Sequence, residues 1–259
     1  MKYIDSHCHI NDEHLLMDSE AVINSAKEVG VTSLIVIGWD LDSSIKAVEL
    51  ANAHQGVYAA IGFHPENLDE VSEEAILKIE ELAKTEKKVV AIGEIGLDYH
   101  WFKEESHRNK QKEWFIRQIN LANKLSLPVS IHARDASNDT YEILKAHPVK
   151  KGAVLHCYSG SVEMMKRFDG LDLYFGFDGP ITFKNAVEPK ECVKACRLER
   201  LLSETDSPYL APTPFRGKTN KPEYIPHIVK QMAELRGESE EEVTKAIAEN
   251  YQRLFSVEP

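Results

Sequence analysis

Positive charge is what this 259-residue sequence most clearly lacks. Lysine and arginine together number 31, against 42 aspartate and glutamate residues, which gives a formal net charge of -11. An acidic surface opposes broad adhesion to nucleic acid or to an anionic membrane, because both partners are negative. A small cationic pocket is still compatible with this balance.

Long apolar runs are also missing. No stretch of the sequence is apolar for long enough to span a bilayer. The first twenty residues carry Asp5, Asp12, Glu13 and Asp18, which do not fit the apolar core of a signal peptide. We therefore expect a cytoplasmic protein with no membrane partner.

Cysteine is scarce, and the four positions contain no CxxC pair. A disulfide framework is not expected in a chain of this size without secretion signals. Cys192 and Cys196 lie four residues apart in a helical pattern, so they share one helix face and are expected to be core thiols. Cys8 and Cys157 each follow a histidine in a strand pattern, and strand alternation predicts that both thiols face away from the neighbouring histidines.

A glycine-rich GxGxxG turn is absent after the first β-branched run, which disfavours an open dinucleotide-binding sheet. Short apolar runs instead alternate with amphipathic stretches, as in parallel β/α units. Helices are predicted at 19–30, 72–84 and 112–125, with two more after Pro226. Strands are predicted at 2–9, 32–38, 57–64, 89–97, 128–134, 152–159, 171–178 and 200–207. Eight such units fit an α/β fold of the (β/α)8 TIM-barrel type, and without a dividing linker residues 1–259 are expected to form one domain.

Histidines and acids lie at the ends of these predicted strands, where a barrel carries its active site. The first strand ends in IDSHCHI (4–10), in which His7 and His9 are two residues apart. Side chains at positions i and i+2 share one strand face, about 7 Å apart along the strand, so both imidazoles can converge on one ion. The pair alone is ambiguous, because two solvated or packed histidines give the same pattern.

Four further strand residues favour a metal site. His132 and His156 follow apolar runs in later strands, and Asp206 ends the last one. Glu94 lies inside the apolar run AIGEIGL, where burying an unpaired carboxylate is costly. The alternative to a metal-ligand role for Glu94 is a buried ion pair, for example with Arg134. Six ligands exceed the three that a catalytic zinc usually takes. They suit two divalent ions about 4 Å apart that share a carboxylate, which Glu94 could supply.

The chain resembles the TatD-family metal-dependent hydrolases of the amidohydrolase superfamily. The matching stretches, in chain order, are IDSHCHI, IGFHPE, IGEIGLDYH, LPVSIHARDA, LHCYSG and ETDSPYLAP followed by RGKTNKP. The resemblance implies a DNase-type phosphodiesterase, with the 3′–5′ exonuclease activity of some relatives. It also implies two ligand sets that share one glutamate: His7, His9, Glu94 and Asp206 for one ion, and Glu94, His132 and His156 for the other.

The identity of the two metals stays open between Mg, Mn and Zn. The family's nucleases are usually described as magnesium-dependent. Four imidazoles nevertheless favour zinc or manganese, because magnesium prefers oxygen ligands and keeps its waters.

The reaction that we expect is attack of a metal-activated water on a DNA phosphodiester, with Asp206 accepting the proton of the water. His64 and Arg134 lie on the same predicted barrel face and are candidate phosphate contacts. Arg216 lies in one of two irregular stretches that place cations beside aromatic residues, a combination that suits single-stranded DNA or a 3′ end. A histidine packed in a turn and solvated loop charges are the alternative interpretations.

Two other functions compete with a nuclease. The first is hydrolysis of a different ester or amide bond in a small molecule by the same ions. Barrel relatives with that activity often use a carboxylated lysine as the bridge, whereas this sequence has Glu94 there. The second is a metal-stabilised binding protein. The sequence determines neither the physiological substrate nor the oligomeric state.

Overall fold

The computed structural model describes residues 1–69 and 71–258, and its parallel strands form one sheet in the order of the sequence. The strands are β1 Tyr3–Cys8, β2 Val31–Ile37, β3 Val57–Ile61, β4 Val89–Asp98, β5 Val129–Arg134, β6 Ala153–Leu155, β7 Tyr174–Phe177 and β8 Leu201–Ser203. Every residue of β1 and of β4 is buried. Helices cover the outside of the sheet, so these strands are buried on both faces.

The chain after β8 returns to β1 and completes the barrel. The Asp206 amide donates a hydrogen bond to the His7 carbonyl at 3.0 Å, and the His9 amide donates to the Ser207 carbonyl at 2.7 Å. The predicted (β/α)8 barrel is therefore confirmed. The same two bonds bring the end of β1 against the segment that follows β8.

Helices alternate with the strands around the outside. The α-helices are α1 Glu13–Leu16, α2 Ser19–Glu28, α3 Leu41–Ala53, α4 Glu73–Thr85, α5 Glu105–Leu125, α6 Ser137–Ala146, α7 Val162–Asp169, α8 Glu188–Ala195, α9 Ile225–Arg236 and α10 Glu240–Phe255. Short 3₁₀ turns span Gly179–Thr182, Leu198–Arg200 and Pro222–Tyr224. Among residues 1–69 and 71–258, no helix has both the length and the apolar character needed to cross a membrane.

Several strands are shorter than the sequence predicts, β6 and β8 most of all. β6 and β8 have three residues each, because the chain leaves the sheet early on its way to the barrel mouth. Cys157 and Asp206, just beyond these strands, have φ angles of 43° and 54°, which lie in the left-handed region and not in the extended one. Strand alternation therefore does not apply to either residue.

Helix α5 also begins seven residues earlier than predicted, at Glu105. Its first part is polar and shows no apolar repeat, so the pattern predicts a loop. Two of its glutamines, Gln111 and Gln118, are buried and lie about two helical turns apart on one face. Gln118 accepts a hydrogen bond from the Phe63 amide at 2.8 Å and donates to the Phe63 carbonyl at 3.0 Å. Gln111 makes the same pair of bonds to the Asp98 backbone, at 3.0 and 3.1 Å.

Candidate metal centre

Glu94 lies at the centre of the site, in the barrel mouth, and is 4% exposed. Its two carboxylate oxygens face different histidines. Oε2 lies 3.5 Å from His7 Nε2 and 3.7 Å from His9 Nε2. Oε1 lies 2.9 Å from His132 Nδ1 and 2.5 Å from His156 Nε2. One carboxylate therefore connects two groups of imidazole nitrogens.

Asp206 completes the group on the β1 side. Its Oδ1 lies 3.3 Å from His9 Nε2 and 3.7 Å from His7 Nε2. The buried Asp5 carboxylate holds the segment in place, since it accepts hydrogen bonds from the Thr205 amide at 2.9 Å and the Thr205 hydroxyl at 2.6 Å. The structure thus brings all six residues that were predicted as ligands to one place, and their role as ligands stays a prediction.

The β1 histidines are oriented through their outer nitrogens. His7 Nδ1 lies 3.2 Å from the Ser130 hydroxyl, and His9 Nδ1 lies 3.3 Å from the Ile37 carbonyl. Histidines that bind metals commonly use the second ring nitrogen in this way, which fixes the tautomer and turns the other nitrogen to the ion. The Nε2 atoms of both rings consequently point at Glu94.

Asp98 orients His132 and was missed by the sequence reasoning. Its Oδ2 lies 2.9 Å from His132 Nε2, and its Oδ1 accepts hydrogen bonds from the backbone amides of His100 and Trp101. Asp98 is fully buried at the end of β4. The signal that could have found it is its spacing of four residues from Glu94, which places both acids on the same strand face.

Close contact between β4 and β5 also sets the geometry of the site. Gly96 has a φ of 145°, and a Cβ atom there would lie 2.0 Å from the His132 carbonyl oxygen. Only glycine fits such an approach. This contact holds His132 beside Glu94.

The electrostatics of this donor set favour a cation. Burial acts to raise the pKa of Glu94, but His156, His64 and His132 outweigh it and hold that pKa well below its usual range. Burial lowers the pKa of His7 to about 3, so its imidazole is neutral, which is the form that binds metals. An ionised buried carboxylate among imidazoles fits the donor set of a divalent transition-metal ion.

A cavity of about 550 Å³ opens above these groups. Two of the predicted substrate contacts, His64 and Arg134, line it. His64 Nε2 lies 3.4 Å from Glu94 Oε1, and His64 Nδ1 accepts a hydrogen bond from the Glu66 amide at 3.2 Å, so Nε2 is the donor nitrogen of this ring. Arg134 does not pair with Glu94: its guanidinium lies 5.7 Å from the centre of the Trp101 ring. Arg216 packs over the Phe183 ring at 4.0 Å, away from the residues that line this cavity in the described chain.

The cysteine predictions have different outcomes. Cys8 is buried and donates to the Ile35 carbonyl at 3.3 Å, on the side away from Glu94. Cys192 and Cys196 are buried core thiols, as predicted. The prediction for Cys157 is wrong. Its thiol does not face away from the site but lies near a ligand candidate, within 4.8 Å of an Asp206 carboxylate oxygen.

Known proteins match this chain along almost its whole length. A model of the TatD related DNase family matches residues 4–256. The uncharacterized metal-dependent hydrolase YabD of Bacillus subtilis is 44% identical over 254 residues, covering 98% of each chain. YcfH of Escherichia coli K12, also described as an uncharacterized metal-dependent hydrolase, is 35% identical over 264 residues, covering 100% of this chain and 97% of its own. The crystal structure of the TatD homologue YjjV from Escherichia coli K12 is similar with a TM-score of 0.93 at 32% identity, covering 98% of each chain.

The fold, the donor cluster and these relatives together define a metal-dependent hydrolase built on a TIM barrel. Within that class, the chain belongs to the TatD family. The resemblance noted in the sequence is confirmed.

Proposed function

We propose that this chain is a deoxyribonuclease that releases nucleotides from the 3′ end of DNA with the help of two divalent ions. The observation that carries the proposal is the arrangement around Glu94, whose two oxygens face separate pairs of imidazoles. Two-metal hydrolases use a shared carboxylate of this kind. The match to the TatD related DNase family supports DNA as the substrate, and we assign the activity to a single domain of residues 1–259.

The proposed ligands divide into two sets that share Glu94. They are His7, His9, Glu94 and Asp206 for one ion, and Glu94, His132 and His156 for the other. Four imidazoles and two carboxylates fit zinc or manganese better than magnesium. When bound, the two ions lower the pKa of a water molecule and neutralise charge on the phosphate.

The side chains of the protein have separate roles in this proposal. Asp206 accepts the proton of the attacking water: burial acts to raise its pKa, but His9, His156 and His7 outweigh burial and keep it ionised. His64 and Arg134 line the cavity beside the carboxylates. They would hold the non-bridging phosphate oxygens, since an imidazole and a guanidinium both donate hydrogen bonds to phosphate.

The shape and lining of the cavity suit the end of a single strand. Trp101 is 63% exposed and Tyr209 is 52% exposed, and both line the cavity. Exposed aromatic rings stack on unpaired bases, and a cation beside them binds the backbone. Arg134, next to Trp101, supplies that cation. A volume of about 550 Å³ is in the range of sites that enclose a small ligand, which favours a terminal nucleotide over long duplex.

We also place the protein in the cytoplasm. All four cysteines are free thiols, which suits a reducing compartment.

The test is a nuclease assay on single-stranded DNA, with the label at the 3′ end in one substrate and at the 5′ end in another. Zinc, manganese and magnesium are added in turn to metal-free protein. We expect early metal-dependent release of the 3′ label as single nucleotides, with Glu94→Ala inactive. Glu163→Ala is the matched control, because Glu163 is an exposed glutamate on α7.

A panel of small esters and cyclic amides in the same assay separates the nuclease from the alternative hydrolase. Turnover of a small ester or amide, with no release from either DNA, would refute the nuclease proposal. Early release of only the 5′ label would keep the nuclease and reverse its polarity.

A further inference from the structure

A second group of metal-binding side chains lies beside the centre described above. It consists of the Cys157 thiol and the carboxylates of Asp178 and Asp206, whose ligand atoms all lie within 4.8 Å of one another. Only Asp206 belongs to the six-residue set around Glu94. The other two residues have no role in the proposed hydrolysis.

Three successive strands bring these groups together. Cys157 lies two residues beyond β6, Asp178 directly follows β7, and Asp206 lies three residues beyond β8. The left-handed backbone of Cys157 removes it from strand alternation. Gly179 permits the close packing, since a Cβ there would lie 1.8 Å from the Leu210 carbonyl oxygen. The segment after β8 is thereby held against the end of β7.

Asp178 differs from the other buried acids nearby in its hydrogen bonding. Glu204 accepts bonds from the Cys157 amide and from the Ser6 hydroxyl, and Asp5 accepts bonds from Thr205. The Asp178 carboxylate shares a hydrogen bond with the Cys157 thiol. The residue is only 3% exposed, yet its Oδ2 has no hydrogen-bond partner among the described residues. Buried carboxylate oxygens in native proteins nearly always have a partner, so an oxygen without a protein partner is suited to bind an ion or a water molecule.

We propose that Cys157, Asp178 and Asp206 form a third cation site, which takes a divalent ion of the zinc type next to the two-ion centre. Two carboxylates and a thiol in one buried volume repel each other once ionised, and a cation offsets this cost. The thiolate selects zinc, iron or cobalt over magnesium and calcium, which prefer oxygen. The site depends on the proposed function only through Asp206, which both centres share.

Cobalt distinguishes this site from its neighbour by spectroscopy. A cysteine thiolate bound to Co²⁺ gives a strong charge-transfer band in the near ultraviolet, whereas the six proposed ligands around Glu94 include no cysteine. Full-length protein stripped with a chelator is titrated with Co²⁺, and the band and the bound cobalt per chain are measured. We expect the band in the wild type, with three ions bound per chain.

Two variants locate the site. Cys157→Ser should abolish the band, and Asp178→Asn should weaken binding of the ion that produces it, so that bound cobalt falls from three to two ions per chain. Cys192→Ala is the matched control and should keep the band, since Cys192 is a buried thiol on α8. Circular dichroism checks that each variant is folded. If Cys157→Ser is unfolded, the test rests on Asp178→Asn, because asparagine keeps the shape of the aspartate side chain.

The outcomes separate the two proposals. The third site is overturned if the charge-transfer band is absent at saturating cobalt, or if the band survives in Cys157→Ser. Absence of the band means that Asp178 is a neutral acid beside a neutral thiol. Two bound ions and DNA hydrolysis without the band would leave the proposed function intact. The band with no DNA hydrolysis would support the third site and count against the nuclease.

Discussion

Asp98 gives the sharpest single perturbation of the proposed metal centre, because it is not one of the proposed ligands and acts through one histidine. Its Oδ2 lies 2.9 Å from His132 Nε2, while Oδ1 accepts two backbone amides. Asp98→Asn keeps the size of the side chain and the acceptor for the amides. It removes the negative charge that holds the His132 ring with Nδ1 towards Glu94.

The size of the effect follows from this geometry. Burial acts to raise the pKa of Asp98, but His132 and the backbone amides of Trp101 and His100 together outweigh burial and lower that pKa, so the wild-type contact involves a carboxylate. Losing an outer carboxylate partner of a ligating histidine typically costs about 10- to 100-fold in metal affinity. That range corresponds to about 1.4 to 2.8 kcal/mol. The free energy that a hydrogen bond to a charged group contributes, about 1.5 to 3 kcal/mol, lies in the same range.

The assay is competition for zinc between the protein and a coloured chelator at constant pH. The matched control is Asp135→Asn, since Asp135 also contacts a histidine, His100, but is 66% exposed. We expect weaker binding of one of the ions in Asp98→Asn and unchanged binding in Asp135→Asn. A dissociation constant within twofold of the wild type in Asp98→Asn would refute the orienting role.

Two further predictions concern the support of the site and its substrate. Gln118→Leu leaves the buried amide and carbonyl of Phe63 without partners, at about 1 to 3 kcal/mol each, so urea denaturation should give a free energy of unfolding lower by about 2 to 6 kcal/mol. The exposed variant Gln252→Leu should change it little, and a loss below about 0.5 kcal/mol in Gln118→Leu would contradict the account. Trp101→Ala removes a stacking ring of about 1 to 3 kcal/mol per base, so steady-state kinetics should show KM for single-stranded DNA raised at least fivefold and kcat nearly unchanged. Trp101→Phe should restore most of the affinity, and equal KM in all three proteins would exclude stacking there.

Much of the fold and the gathering of the six candidate ligands could be predicted from the sequence. The reason is topological: the carboxyl ends of parallel strands in a closed barrel meet at one mouth. His7 and Asp206, about two hundred residues apart, are joined there by a backbone hydrogen bond. The contacts of Glu94 with imidazoles also replace the alternative ion pair with Arg134.

The remaining features depend on tertiary contacts that no local pattern contains. Cys157 was misplaced because alternation holds only within a strand, and β6 ends two residues earlier. Gln111 and Gln118 look like solvated helix residues until their hydrogen bonds to strand backbone are seen. Arg216 has the right charge for a phosphate contact, but its packing on Phe183 is a property of the folded loop.

Anomalous diffraction from crystals of the zinc-loaded protein tests the central claim most directly. We predict two neighbouring peaks on opposite sides of the Glu94 carboxylate, one bound by His7 and His9 and the other by His132 and His156, with the proposed site at Cys157 giving a separate third peak. A single peak at this carboxylate, or none, would contradict the two-ion centre.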